Sequence, residues 1–336
     1  MKWLISGLLT CFYLSVVLGF STDRWMEQLK CDLSDVKYSQ IKIPATHNSG
    51  TWNISMSSPY SYDTNVDASF ILIPQLVYVF NSYGVNSSLV KRWIYPWMVN
   101  NDRTIKQQLN DGIRHFDIRV CKSSIGPVVC HALESITVTS VIEDVRDFLK
   151  VKKSEVVSID LNHIYGMSSS DHLNLVTSIN TILGNDTMVN PSVRSFNTTY
   201  GSLLDANERV FVFYADVPTV NNYGAQLRLF SSSSLNTGWV NVVNMPALKL
   251  GIISELNQRT DLNSGFVSQI VLTPDLNMMV SGLLDKPSSV KELAKMYYGV
   301  VPSWIRNDLP KDKVNIVNTD FYTESFVRSI INLNLY

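Results

Sequence analysis

IRHFDIRV, residues 113–120, alternates polar and apolar side chains along a short stretch. Successive strand residues face opposite sides, so His115, Asp117 and Arg119 share a face with Ile113, while Phe116, Ile118 and Val120 share the other with Arg114. The second set is apolar at its C-terminal end and packs against helices. Asp117 and Arg119 therefore point into an interior. Immediately upstream, DRTIKQQLNDG (102–112) reads as a helix with Asp102 as N-cap and Gly112 just past its end. A helix that feeds straight into such a strand is one unit of a parallel α/β fold.

The unit recurs. IKIPATH (41–47), EVVSIDLNH (155–163), ERVFVFYAD (208–216), KLGIISEL (249–256), FVSQIVLTP (266–274) and KVNIVNTDF (313–321) read as further strands. SVIEDVRDFLKV (140–151), SSDHLNLVTSINTIL (169–183), SSVKELAKMYYG (288–299) and the closing TESFVRSIINLNL have helical spacing. Seven strands alternating with helices over this length fit a single (β/α) barrel of the TIM type, irregular or incompletely closed. The alternative is an open doubly wound sheet, and no strand carries a G-x-G-x-x-G.

Before that barrel, MKWLISGLLTCFYLSVVLG (1–19) has one early lysine, an uncharged apolar stretch and a small residue before polar STDR. It reads as a secretory signal peptide, with a membrane anchor as the rival. Residues 20–336 then form one barrel domain. Losing Lys2 from the 28 basic residues leaves 27 against 29 acidic ones, which gives no electrostatic case for a nucleic-acid partner. Sequons at Asn53, Asn86, Asn185 and Asn197 agree with export. Cys121 and Cys130 flank a segment whose Gly-Pro turns the chain back, so they are placed for a disulfide; Cys31 is left over, as a buried thiol. ASFILIPQLVYVF (68–80) is too short, and too interrupted by proline and glutamine, for a membrane span.

Strand parity brings polar groups to the barrel interior from five strands. His47 follows Ile41, Ile43 and Ala45; Asp160 and Asn162 share a face with Ser158; Asn318 and Asp320 share one with Ile316; Tyr214 lies with Asp216. Each taken singly is an ordinary structural group, an interior ion pair or a hydrogen-bonded histidine. Together they are costly to desolvate unless they satisfy one another or a ligand.

IPATHNSGT, QLNDGIRHFDIRV, CHAL, EVVSIDLNH, QIVLTP and VNIVNTDF, in this order, resemble the phosphatidylinositol-specific phospholipase C X-domain proteins, over about residues 30 to 330. The closest likeness is to the single-domain group. The resemblance implies a distorted TIM barrel acting on an inositol phospholipid at a membrane surface. It implies His47 as general base, His131 as general acid and Asp320 as the carboxylate that orients the base. Asp117 and Arg119 match the Asp-x-Arg pattern of metal-free relatives, in which a guanidinium replaces the metal's charge. Calcium-independent catalysis with no cofactor follows. Asn48 departs from that branch, which carries aspartate there to support the acid histidine; with the carboxylate missing, His131 is expected to hold its proton less well, with Asp117 as a replacement partner. Asn48, Asn162 and Tyr214 are expected on the substrate side. Trp93, Tyr95 and Trp97 are read either as an apolar rim toward a bilayer or as core packing. A catalytically weak binder of inositol lipids or glycans is the second reading. Glycerophosphodiesterase-like chemistry is a third, and it needs acidic metal ligands that Arg119 does not suit.

Overall fold

The computed structural model describes residues 20–67, Tyr78 and 87–335. The leader, the 68–80 stretch other than Tyr78, and the Asn86 sequon lie outside them. Ten strands form one sheet: β1 (Ile43–Thr46), β2 (His115–Ser123), β3 (Gly126–His131), β4 (Leu133–Thr137), β5 (Val157–Tyr165), β6 (Val210–Tyr214), β7 (Phe230–Ser231), β8 (Leu235–Thr237), β9 (Gly265–Ile270) and β10 (Ile316–Thr319). Their spatial order is β7-β6-β5-β2-β1-β10-β9-β8, all parallel, with β3 added antiparallel to β2 and β4 antiparallel to β3. The path ends on β7 and β8, which are consecutive in the chain and joined by the 3-10 turn Ser232–Ser234 rather than by pairing. The barrel is therefore nearly closed, with its seam at two very short strands.

Six of the seven expected strands are present. KLGIISEL is instead part of the helix Met245–Gln258. Leu248, Ile252 and Leu256 recur every four residues and are all buried, while Leu250 is exposed, which is helical and not strand spacing. Asn244 caps it and proline occupies its first turn. The two strands at the seam have no sequence signature because two or three residues are too few for a periodicity. The helix Ile105–Asp111 starts later than expected: Thr104, not Asp102, is its N-cap, in a capping box with Gln107, and Gly112 ends it at φ +109°.

Outward residues of β2 and β5, among them Phe116, Ile118, Ile159 and Leu161, join the helix faces bearing Val141, Val145, Phe148, Val176 and Ile179 in one core. Arg114, on the outward face as parity required, is fully buried with Glu155 at 2.8 Å and lies over the Phe148 ring. Cys121 and Cys130 form the disulfide, tying β2 to β3. Cys31 is exposed rather than buried, because its short helix presents it to solvent.

Candidate active site

The C-terminal ends of the strands carry the polar cluster. β1 ends at Thr46, and two of the next three residues are stitched to neighbouring strands: the His47 N–H donates to Thr319 O at 3.0 Å, and the Ser49 N–H to Asp117 O at 2.8 Å. Asn48 takes a left-handed conformation at φ +43°, which asparagine tolerates. Gly50 permits the close pass over β3, since a Cβ there would sit 2.9 Å from Val129. Ala132 and Phe321, which follow His131 and Asp320, are also left-handed, at φ +57° and +42°. Three site side chains thus sit directly before a reversal of the backbone, two of them at residues for which that conformation costs about 1–2 kcal/mol.

His47 Nδ1 lies 2.9 Å from Asp320 Oδ1. The carboxylate accepts, so the ring carries its proton on Nδ1 and leaves Nε2 proton-free. Asn100 also donates to Asp320 Oδ1, at 2.9 Å, and Asn101 donates to the His47 carbonyl at 2.7 Å. Burial alone would lower the His47 pKa, but the Asp320 charge and hydrogen bond raise it overall. His131 lies across the mouth, its ring centroid 6.5 Å from that of His47. It donates from Nδ1 to the Met98 carbonyl at 2.9 Å. Burial, with the nearby Arg119 charge, pushes its pKa down to about 3. The two imidazole pKa values are thus shifted in opposite directions.

Arg119 Nη1 is ion-paired with Asp67 Oδ2 at 2.7 Å. Asp117 accepts from Asn162 at 2.6 Å and from Asn318 at 3.2 Å. Asp160, in register with Asp117, accepts from Ser232 at 2.7 Å; burial raises its pKa to about 7. His115 and Ser158 bond at 2.8 Å one layer deeper.

His47, Asp320, His131, Arg119, Asp117 and Asn162 are therefore gathered at one mouth. Tyr214 is not. It is in register with outward Leu161, and its hydroxyl meets His172 Nδ1 at 2.7 Å on the outer helix Ser169–Leu183. Counting parity from Asp216 misplaced it, because β6 ends at Tyr214 and Asp216 already caps the next helix. Asn48 is buried with its amide donated to Asn100 at 3.2 Å, so that side chain supports the site from below. Asp117 is held by two amides, and the carboxylate whose charge favours protonated His131 is Asp67. Trp97 is buried, and Trp93 and Tyr95 pack on the same cluster, so core packing describes them.

Sequence reasoning missed Asp67, Asn100 and Trp239. Trp239 stands over His47 with ring centroids 5.3 Å apart and is 44 % exposed. None of the three lies on a strand, where parity could have pointed to it. Among the described residues, Asp63, Cys121 and Cys130 form the one cluster with metal-ligand spacing, and its two cysteines are joined in the disulfide.

A nearly closed parallel barrel with helices outside and a polar cluster of two histidines and an ion-paired arginine at its C-terminal mouth defines the class, a TIM-type α/β barrel. The phosphatidylinositol-specific phospholipase C X domain matches residues 77–215. PI-PLC X domain-containing protein 3 of Mus musculus is 27 % identical over 322 residues, covering 92 % of each chain. The variant-surface-glycoprotein phospholipase C of Trypanosoma brucei brucei is 26 % identical over 77 % of this chain and 72 % of its own. The phosphatidylinositol-specific phospholipase C of Listeria monocytogenes superposes with a TM-score of 0.59 at 14 % identity, over 94 % of this chain and 99 % of that one, a likeness of fold. By that domain match and by relatives that align over most of its length, the chain is similar to the phosphatidylinositol-specific phospholipase C X-domain proteins.

Proposed function

We propose that the protein is a calcium-independent phosphodiesterase that cleaves phosphatidylinositol. The observation that carries this reading is geometric: two histidines face each other across a mouth that also holds Arg119, one of them bonded through Nδ1 to Asp320. His47 Nε2 takes the proton of the inositol 2-hydroxyl, whose oxygen attacks phosphorus. The bond from phosphorus to the diacylglycerol oxygen breaks, and His131 Nε2 protonates that oxygen, leaving diacylglycerol and a cyclic inositol phosphate. Arg119 neutralises charge on the phosphate oxygens. Its guanidinium, and an Asp117 already satisfied by two amides, form a donor set ill-suited to a divalent cation.

A second reading has its own observation. His131 with a pKa near 3 is neutral in the resting site, and no acid at position 48 reloads it. The general acid must gain its proton when the anionic phosphate arrives and offsets Arg119. A chain that never achieves this binds inositol lipids without turnover. Purified protein assayed on phosphatidylinositol vesicles with EDTA separates the cases. Cyclic inositol phosphate released in EDTA is the expected result; no product, or product only after calcium is restored, overturns the metal-free mechanism. Secretion belongs to the same proposal, supported by the disulfide and by sequons at exposed Asn53, Asn185 and Asn197.

A further inference from the structure

Asp67 lies outside the histidine pair and outside every recognisable motif of the chain. Its Oδ2 accepts from Arg119 Nη1 at 2.7 Å and from the Tyr165 hydroxyl at 2.7 Å. Both members of the ion pair are only 14 % exposed. The segment that delivers it is pinned to the strands beside the site: the Ser61 N–H donates to Ala132 O at 3.1 Å and the Glu134 N–H to Pro59 O at 2.9 Å. Asp63 accepts from the Ala132 N–H at 2.9 Å, and its own carbonyl accepts from the Asp67 N–H at 2.8 Å. Tyr165, in turn, packs on the Cys121–Cys130 disulfide.

A carboxylate on the arginine that meets the phosphate can act in two ways. Held loosely, it competes with substrate as a latch. Held firmly, it fixes the guanidinium, and because arginine has five N–H donors, a carboxylate and a phosphate can share it. The second hold from Tyr165 and the chain of bonds through Asp63 to Ala132 make Asp67 a fixed group. We propose that Asp67 is a positioning residue that orients Arg119 to receive the substrate phosphate, an inference that rests on the phosphodiesterase reading. The same carboxylate supplies negative charge near His131, whose neighbours among the described residues include Arg119 on β2, His47 after β1 and the Met98 carbonyl. It does in part what position 48 does not.

A double-mutant cycle tests this with Asp67→Ala, Arg119→Ala and the double variant, each checked by thermal unfolding. Two readouts are taken: calorimetric affinity for myo-inositol 1-phosphate, and kcat/KM on phosphatidylinositol. Asp67→Ala is expected to weaken binding about tenfold and lower kcat/KM about a hundredfold, the scale of a misplaced phosphate ligand. In the Arg119→Ala background the same change is expected to add less than about twofold, and Asp67→Asn to fall between wild type and Asp67→Ala. Tighter binding by Asp67→Ala identifies a latch and overturns the proposal, as does an equal loss in both backgrounds. Wild type that binds the inositol phosphate without turnover removes the phosphodiesterase reading, while the cycle still decides on binding. Wild type that binds none removes both.

Discussion

At the scale of single residues, the site is organised by what each imidazole gives its Nδ1 proton to. His47 gives it to a carboxylate and His131 to a backbone carbonyl; Asp320 raises the first pKa, while burial and the Arg119 charge lower the second. The pH dependence follows. Under the proposed function His47 works as a base when neutral, so kcat/KM is expected to rise as pH climbs through its raised pKa. In Asp320→Asn, the charge that does most to oppose burial is lost, and the rising limb moves to lower pH while the maximum falls about 10²–10⁴-fold. Stability has its own sign. The raised His47 pKa adds stability that is complete below about pH 6.5 and is lost as pH rises through the folded-state value. Asp320→Asn should therefore cost more at pH 5.5 than at pH 9 by denaturant titration, and an equal cost at both would contradict the charged pair. His47 was legible because parity aims it inward. Asn100 and Asp67 were not, since loops carry no periodicity from which an inward direction can be counted.

Among elements, the hairpin of β2 and β3 carries two of the proposed groups. Arg119 lies two residues before Cys121, and His131 directly follows Cys130. The nine-residue separation closes a loop worth about 2–3 kcal/mol in the unfolded chain. A Cys121→Ala/Cys130→Ala variant is expected to lose that much stability and, in addition, at least tenfold in kcat/KM at a temperature where it is fully folded. Unchanged activity in the folded variant would show that the strands alone hold both groups. Alternation made β2 and β5 readable in advance. Met245–Gln258 was misread because a short apolar run carries no direction until its neighbours show which side is buried.

For the whole molecule, the mouth bears an apolar margin. Leu276, Val280, Leu283 and Leu284 follow β9 on the mouth side and are 49 to 96 % exposed, with Trp239 44 % exposed after β8. Under the proposed function this margin meets the lipid surface that presents the substrate. Leu283→Asp/Leu284→Asp should cut sedimentation with phosphatidylinositol vesicles about tenfold and leave affinity for soluble myo-inositol 1-phosphate within twofold. A change in both would place these leucines in the site itself.

Six of the strands, the inward aim of His47, Asp117, Arg119 and Asp320, and the family resemblance were legible from local alternation and the order of the motifs, because strand parity is a property of adjacent residues. The seam between β7 and β8, the outward turn of Tyr214, the Met98 carbonyl on His131 and the Asp67 grip on Arg119 were decided only when distant segments met. Each of these depends on contacts across tens of residues, and such contacts exist only once closure of the barrel brings the segments together.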